Sequence, residues 1–204
     1  MGQYYFPLLI DDNGDKFRGD SHDFDTGLKL MEHSWVGNNF VNAILGTIES
    51  HPMRLAWVGD YSDGVVYDYT DFGDGFIVGR DAYMPYYSCA MESTGEAKTL
   101  EKTTPKLLFD LDCADYFVVN ITKQIYIDLE KYVSQNAQSD FGFGMYCINP
   151  IPLLTSIGNG EGGGDYGGRE GISDVGTWAF DKIYISAIRP GTMKEVEYHF
   201  SERS

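Results

Sequence analysis

Cysteine, positive charge and long apolar runs are all scarce in this 204-residue chain. The three cysteines, Cys89, Cys113 and Cys147, lie far apart, with no Cys-x-x-Cys pair and no histidine at metal-ligand spacing. Neither a disulfide framework nor a zinc site is expected. Lysine and arginine number 15 against 31 aspartates and glutamates, a formal net charge of −16. A field of that sign repels phosphate backbones and anionic lipid, which argues against direct nucleic-acid binding and against a membrane surface. No apolar run approaches the roughly 18 residues of a membrane-spanning helix, and no signal-peptide pattern precedes the first strand-like segment. The expected location is the cytoplasm of a bacterium or of a phage-infected host cell.

Catalytic signatures are missing as well. There is no Gly-x-Ser-x-Gly elbow, no Gly-x-x-x-x-Gly-Lys-Ser/Thr phosphate loop and no His-Glu-x-x-His pair. His22, His33, His51 and His199 show no base or metal pairing by spacing. Glu32-His33-Ser34-Trp35 brings a carboxylate, an imidazole and a hydroxyl together in sequence, but neighbouring residues of a helix point in different directions. The balance favours binding over catalysis, with no cofactor and no metal.

Two loops imitate ligand motifs without completing them. Gly158-x-Gly160-x-x-Gly163 has dinucleotide-binding spacing, yet Gly164, Gly167, Gly168 and Gly171 follow where a helix would have to aim its N-terminus at a pyrophosphate. Asp11-x-Asn13-x-Asp15 begins like a calcium loop, but Lys16 stands at the turn-glycine position and His22 at the closing-glutamate position. It reads as a polar turn.

What is present is a folding chain: 43% hydrophobic residues, spread throughout, exclude global disorder. One domain over residues 1–204 is expected. Tyr4 to Ile10 reads as a strand entering a hairpin turn, with Pro7 placing it near an edge or bulge. Leu28 to His33 reads as a short helix, and Val36 to Ile48, apolar at every third or fourth position, as a longer one capped by Asn38 or Asn39. Met53 to Val58, Val65 to Tyr69 and Phe76 to Val78 read as strands. Asp115 to Ile121 and Gln124 to Ile127 read as a second hairpin, followed by a helix from Asp128, its cap, to Gln135. Thr177 to Ser186 and Glu195 to Phe200 read as closing strands. The class is α+β, a mostly antiparallel sheet with two or three helices. An aromatic hairpin, an apolar helix-like segment and a Gly-Asp-Tyr turn recur in order, which fits two similar halves, about 1–87 and 106–204, joined by a polar loop 88–105.

The candidate interaction surface is the acid-rich stretch Asp60, Asp63, Asp68, Asp71, Asp74 and Asp81, opposed by Arg80 alone and interleaved with Tyr61, Tyr67, Tyr69 and Phe72. Carboxylates with aromatic anchors suit a basic protein groove. The partner expected is therefore a basic protein, and the role that of an inhibitor of the immunity or phage anti-defence type, anti-CRISPR proteins included. The competing reading is a small-ligand (nucleotide-like) binding protein or hydrolase. It would use Asp60 and Asp165 of the two Gly-Asp-Tyr turns as carboxylates and stack a ligand on Tyr61, Tyr166 and Trp178.

Four segments, Met1-Gly2-Gln3-Tyr4-Tyr5, Gly27-Leu28-Lys29-Leu30-Met31-Glu32, Gly162-Gly163-Gly164-Asp165-Tyr166 and Gly176-Thr177-Trp178-Ala179-Phe180-Asp181, together resemble a family of uncharacterised bacterial and phage-borne proteins. The resemblance spans most of the chain and brings no established activity with it. Many relatives carry Trp-Ala-Gly-Asp where this chain has Phe180 in place of the glycine, which bears on any close backbone contact at that turn.

Overall fold

Two apolar runs without polar alternation occupy the centre of the sheet, because both of their faces are buried. They are β1 (Tyr5–Ile10) and β3 (Met53–Gly59), paired antiparallel from Tyr5↔Gly59 to Ile10↔Arg54. The computed structural model describes residues 4–60, 97–140, 144–157 and 174–200. Along β1, Tyr5 and Leu9 enter a large apolar cluster that extends to Phe200, whereas Phe6, Leu8 and Ile10 enter a smaller cluster. Strand β3 divides in the same way, with Leu55 and Trp57 in the first and Ala56 and Val58 in the second. Successive strand residues point to opposite faces, so the two clusters lie on opposite sides of the sheet.

Nine strands among the described residues make one sheet. Its order is β11 (Lys194–Glu195), β6 (Ile125–Asp128), β5 (Phe117–Asn120), β10 (Lys182–Ser186), β3, β1, β2 (Lys16–Arg18) and β4 (Ala97–Thr99), with β9 (Ser156–Ile157) also beside β3. The β11–β6, β2–β4 and β3–β9 pairs are parallel and the other pairs are antiparallel. A separate hairpin joins β7 (Gln138–Asp140) and β8 (Gly144–Tyr146). Four α-helices among the described residues, α1 (Leu30–His33), α2 (Asn39–Thr47), α3 (Leu129–Asn136) and α4 (Pro150–Leu154), contribute to the large cluster. The fold is α+β with a mostly antiparallel sheet, as the patterning predicts.

The caps are where the sequence places them. Asn38 Oδ1 accepts from the amides of Phe40 and Val41 at the start of α2, at 2.9 and 3.2 Å, and Asp128 accepts from Lys131 N at the start of α3. On α3, Leu129, Tyr132, Val133 and Asn136 are buried at helical spacing. Helix α4 was not expected, because it holds two prolines. Pro150 occupies its first position and Asn149 caps it through Ile151 N, an arrangement that uses no helical N–H of Pro150.

Several expectations are corrected. Strand β1 is interior, not an edge. Tyr5 N points away from β3 to Leu28 O, so the nitrogen of Pro7 points the same way, beyond Arg18, the last β2 residue in the ladder, and no sheet bond is lost. The first helix starts at Leu30, since Lys29 is extended and Leu28 is engaged by Tyr5. Residues 97–99, expected within a polar connecting loop, form β4 against β2. The closing strands are shorter than expected: Phe180, at φ 58°, breaks the first before Lys182, and the second keeps ladder pairing only at Lys194–Glu195. The expected strands Val65 to Tyr69 and Phe76 to Val78 lie outside the described residues.

Candidate functional site

At the end of β3, Asp60 closes the ladder with β1. Its amide donates to Tyr4 O at 3.0 Å, and its Oδ1 accepts from Tyr4 N at 3.3 Å. Burial holds this carboxyl above the ordinary aspartate range, against the opposing effect of the Tyr4 amide. Strand β9 runs parallel to β3 in the register Val58↔Ile157. Ile157, the last described residue before the glycine-rich stretch, therefore lies beside Val58, two residues before Asp60. Tyr61, Asp63, Asp68, Asp71, Asp74, Asp81, Asp165 and Tyr166 lie outside the described residues.

Trp178 sits in the core, 1% exposed. Its Nε1 donates to the Tyr198 hydroxyl at 2.9 Å, and the two rings meet edge to face. Among the described residues no hydrogen bond or ring contact joins Trp178 to Asp60. The turn around Trp178 and the end of α4 fill the edge of β3 between β10 and β9: Phe180 N donates to Leu55 O and Leu55 N to Asp181 O, while Trp57 N donates to Thr155 O at the end of α4. Gly176 is required there, because at φ 78° a Cβ would come within 2.7 Å of Ser156 O. Phe180 adopts its left-handed φ with a ring buried in the smaller cluster. Asp181, also buried, accepts from Asn120 Nδ2 at 2.7 Å and pairs with Lys123.

The Glu32-His33-Ser34-Trp35 neighbourhood is part of the core. His33 is fully buried, with Nδ1 3.0 Å from Gly27 O and Nε2 2.9 Å from Trp57 Nε1. An indole nitrogen only donates, so Nε2 accepts and Nδ1 carries the proton. Burial pushes the imidazole down to about 4, outweighing the Gly27 bond and the Glu32 charge. Glu32 instead accepts from Lys29 N at the start of α1, and its side chain occupies the space that a Cβ on Gly27 would need. The Gly27 to Glu32 motif thus builds a helix start over a buried histidine. Sequence inspection does not reveal the His33–Trp57 contact, because the partners are 24 residues apart.

The Asp11–Asp15 turn directs its oxygens away from a common centre. Asp11 Oδ1 accepts from Asn13 N and Asp15 N, while Asp12 holds Lys182 and Asp15 holds Lys98. Among the described residues no group of three or more His, Cys, Asp or Glu side chains is placed to hold a metal ion. No described helix is long and apolar enough to cross a membrane.

Cations elsewhere also turn onto the chain's own carboxylates: Lys102 to Asp25, Lys131 to Glu195 and Glu197, and Arg189 to Glu195. Asp23, Glu49, Asp110, Asp112, Asp115 and Glu130 are exposed. Glu49 and Asp115 lie close enough to Tyr116 to help burial raise its hydroxyl pKa.

No family model, curated protein or solved structure matches the chain.

Proposed function

We propose that this is an acidic cytoplasmic binding protein that neutralises a basic protein partner, in the manner of immunity or phage anti-defence proteins, anti-CRISPR inhibitors among them. The observation that carries the reading is the direction of the cations. Lys98, Lys102, Lys131, Lys182 and Arg189 are held by neighbouring carboxylates, so they add little to what a partner meets, while acids outnumber bases 31 to 15. Such a surface steers a cationic partner by long-range attraction that salt screens within about 8–10 Å. Asp60 to Asp81 is the contact segment of the proposal.

The test is capture from host lysate at low and high salt, repeated with Asp63, Asp68, Asp71 and Asp74 changed together to Asn. A basic protein retained at low salt, released at high salt and lost from the variant is the expected result. Equal retention by the variant removes the contact assignment.

A second reading, small-ligand binding or hydrolysis at the Gly-Asp-Tyr turns, is favoured by one observation: β9 ends at Ile157 beside Val58, two residues before Asp60, whose carboxyl is partly desolvated. Native mass spectrometry of the purified chain tests it. A bound small molecule that disappears in Asp60→Asn supports this reading over the first.

A further inference from the structure

The Asp11–Asp15 turn serves neither reading, yet its chemistry is reactive. We propose that Asn13 is a site of spontaneous deamidation and backbone isomerisation in the folded protein. Asn13 is exposed and is followed by Gly14 at φ 82°. A Cβ built on Gly14 would meet nothing within 4 Å, so no neighbour crowds the residue and its backbone has glycine's freedom to swing toward the Asn13 side chain. Among the described residues the carboxamide is held only by a 3.5 Å contact from Nδ2 to Asp11 Oδ2, the outer limit of a hydrogen bond. One interaction opposes the reaction: Gly14 N–H donates to Asp11 O at 3.1 Å. That bond must open first, which makes the folded chain slower than a free peptide.

The atoms balance without an oxidant or cofactor. Gly14 nitrogen, having lost its proton to solvent base, attacks Asn13 Cγ. The new C–N bond forms, the Cγ–Nδ2 bond breaks, and the nitrogen leaves as ammonia, giving a five-membered succinimide. Water then opens the ring. Cleavage at Cγ leaves an aspartate; cleavage at the main-chain carbonyl leaves an isoaspartate, whose backbone runs through Cγ and is one methylene longer. Either product adds a negative charge between Asp12 and Asp15. The isoaspartate also lengthens a loop whose two flanking acids tie it to Lys182 at the start of β10 and to Lys98 of β4.

The full chain is held at physiological temperature in mildly alkaline buffer and then digested. The peptide Met1–Lys16 is read by mass spectrometry, with an isoaspartyl-specific methyl transfer separating the two products. The chain's other Asn-Gly pair, Asn159-Gly160, falls in a different peptide. Both products are expected to accumulate at Asn13 in the native protein, several-fold more slowly than in the isolated peptide, and to be absent in Asn13→Ser. The inference is overturned if Asn13 stays intact in the native chain after the free peptide has reacted to completion, or if it reacts only once denaturant has unfolded the protein.

Discussion

His33 shows how one residue type changes meaning with its surroundings. As a surface side chain it would be a candidate base; here it is a neutral link between Trp57 and Gly27 O. Its folded pKa of about 4 lies below the ordinary 6.5, so between these values the unfolded chain binds more protons than the folded one. Stability therefore rises with pH across that window, and the contribution is lost as pH falls from about 6.5 to 4, a difference of about 3 kcal/mol. Urea unfolding of the wild type and of His33→Phe over this range checks the sign: the variant should lose the part of the slope due to the imidazole. At neutral pH the same variant leaves the Trp57 N–H and Gly27 O without their partner, which costs about 2–4 kcal/mol. Asp181→Ala should cost about 2–3 kcal/mol, since it strips the buried Asn120 amide of its acceptor; the shift in urea midpoint reads it.

At the scale of the element, helix α2 separates propensity from packing. Asn38→Ala removes the acceptor for two helix-end amides and should lower stability by about 1 kcal/mol. Gly46→Ala would stabilise an isolated helix by about 1 kcal/mol. In this fold the opposite is expected, because the added Cβ would lie 2.3 Å from Pro105 O and 3.0 Å from Leu107 N. Those are backbone atoms of a segment pinned to the same helix by Leu107 N to Asn42 O and Asn42 Nδ2 to Phe109 O. The loss should exceed about 2 kcal/mol, the range for overpacking a close contact, and a raised thermal midpoint would contradict the assignment. The glycine is legible in the sequence. The chain that crosses it is not, because that contact joins residues about 60 positions apart.

For the whole molecule, net charge decides the sign of the salt response. Added salt weakens the surface ion pairs, each worth about 0–1 kcal/mol, and also weakens the mutual repulsion of a chain at −16. With acids twice as numerous as bases, repulsion is the larger effect. The thermal midpoint should rise as sodium chloride is added at neutral pH, and a fall would show that the ion pairs dominate.

Local chemistry was readable in advance. The α+β class, the two hairpins, and the Asn38 and Asp128 caps follow from periodicity and short-range hydrogen bonding, which act over a few residues. Tertiary structure alone decided that β1 is interior, that residues 97–99 join the sheet, that Phe180 turns left-handed beside Asp181, and that His33 meets Trp57. Each of these depends on partners brought together from distant parts of the chain, and the free energy of such contacts belongs to the assembled core and not to any segment of sequence.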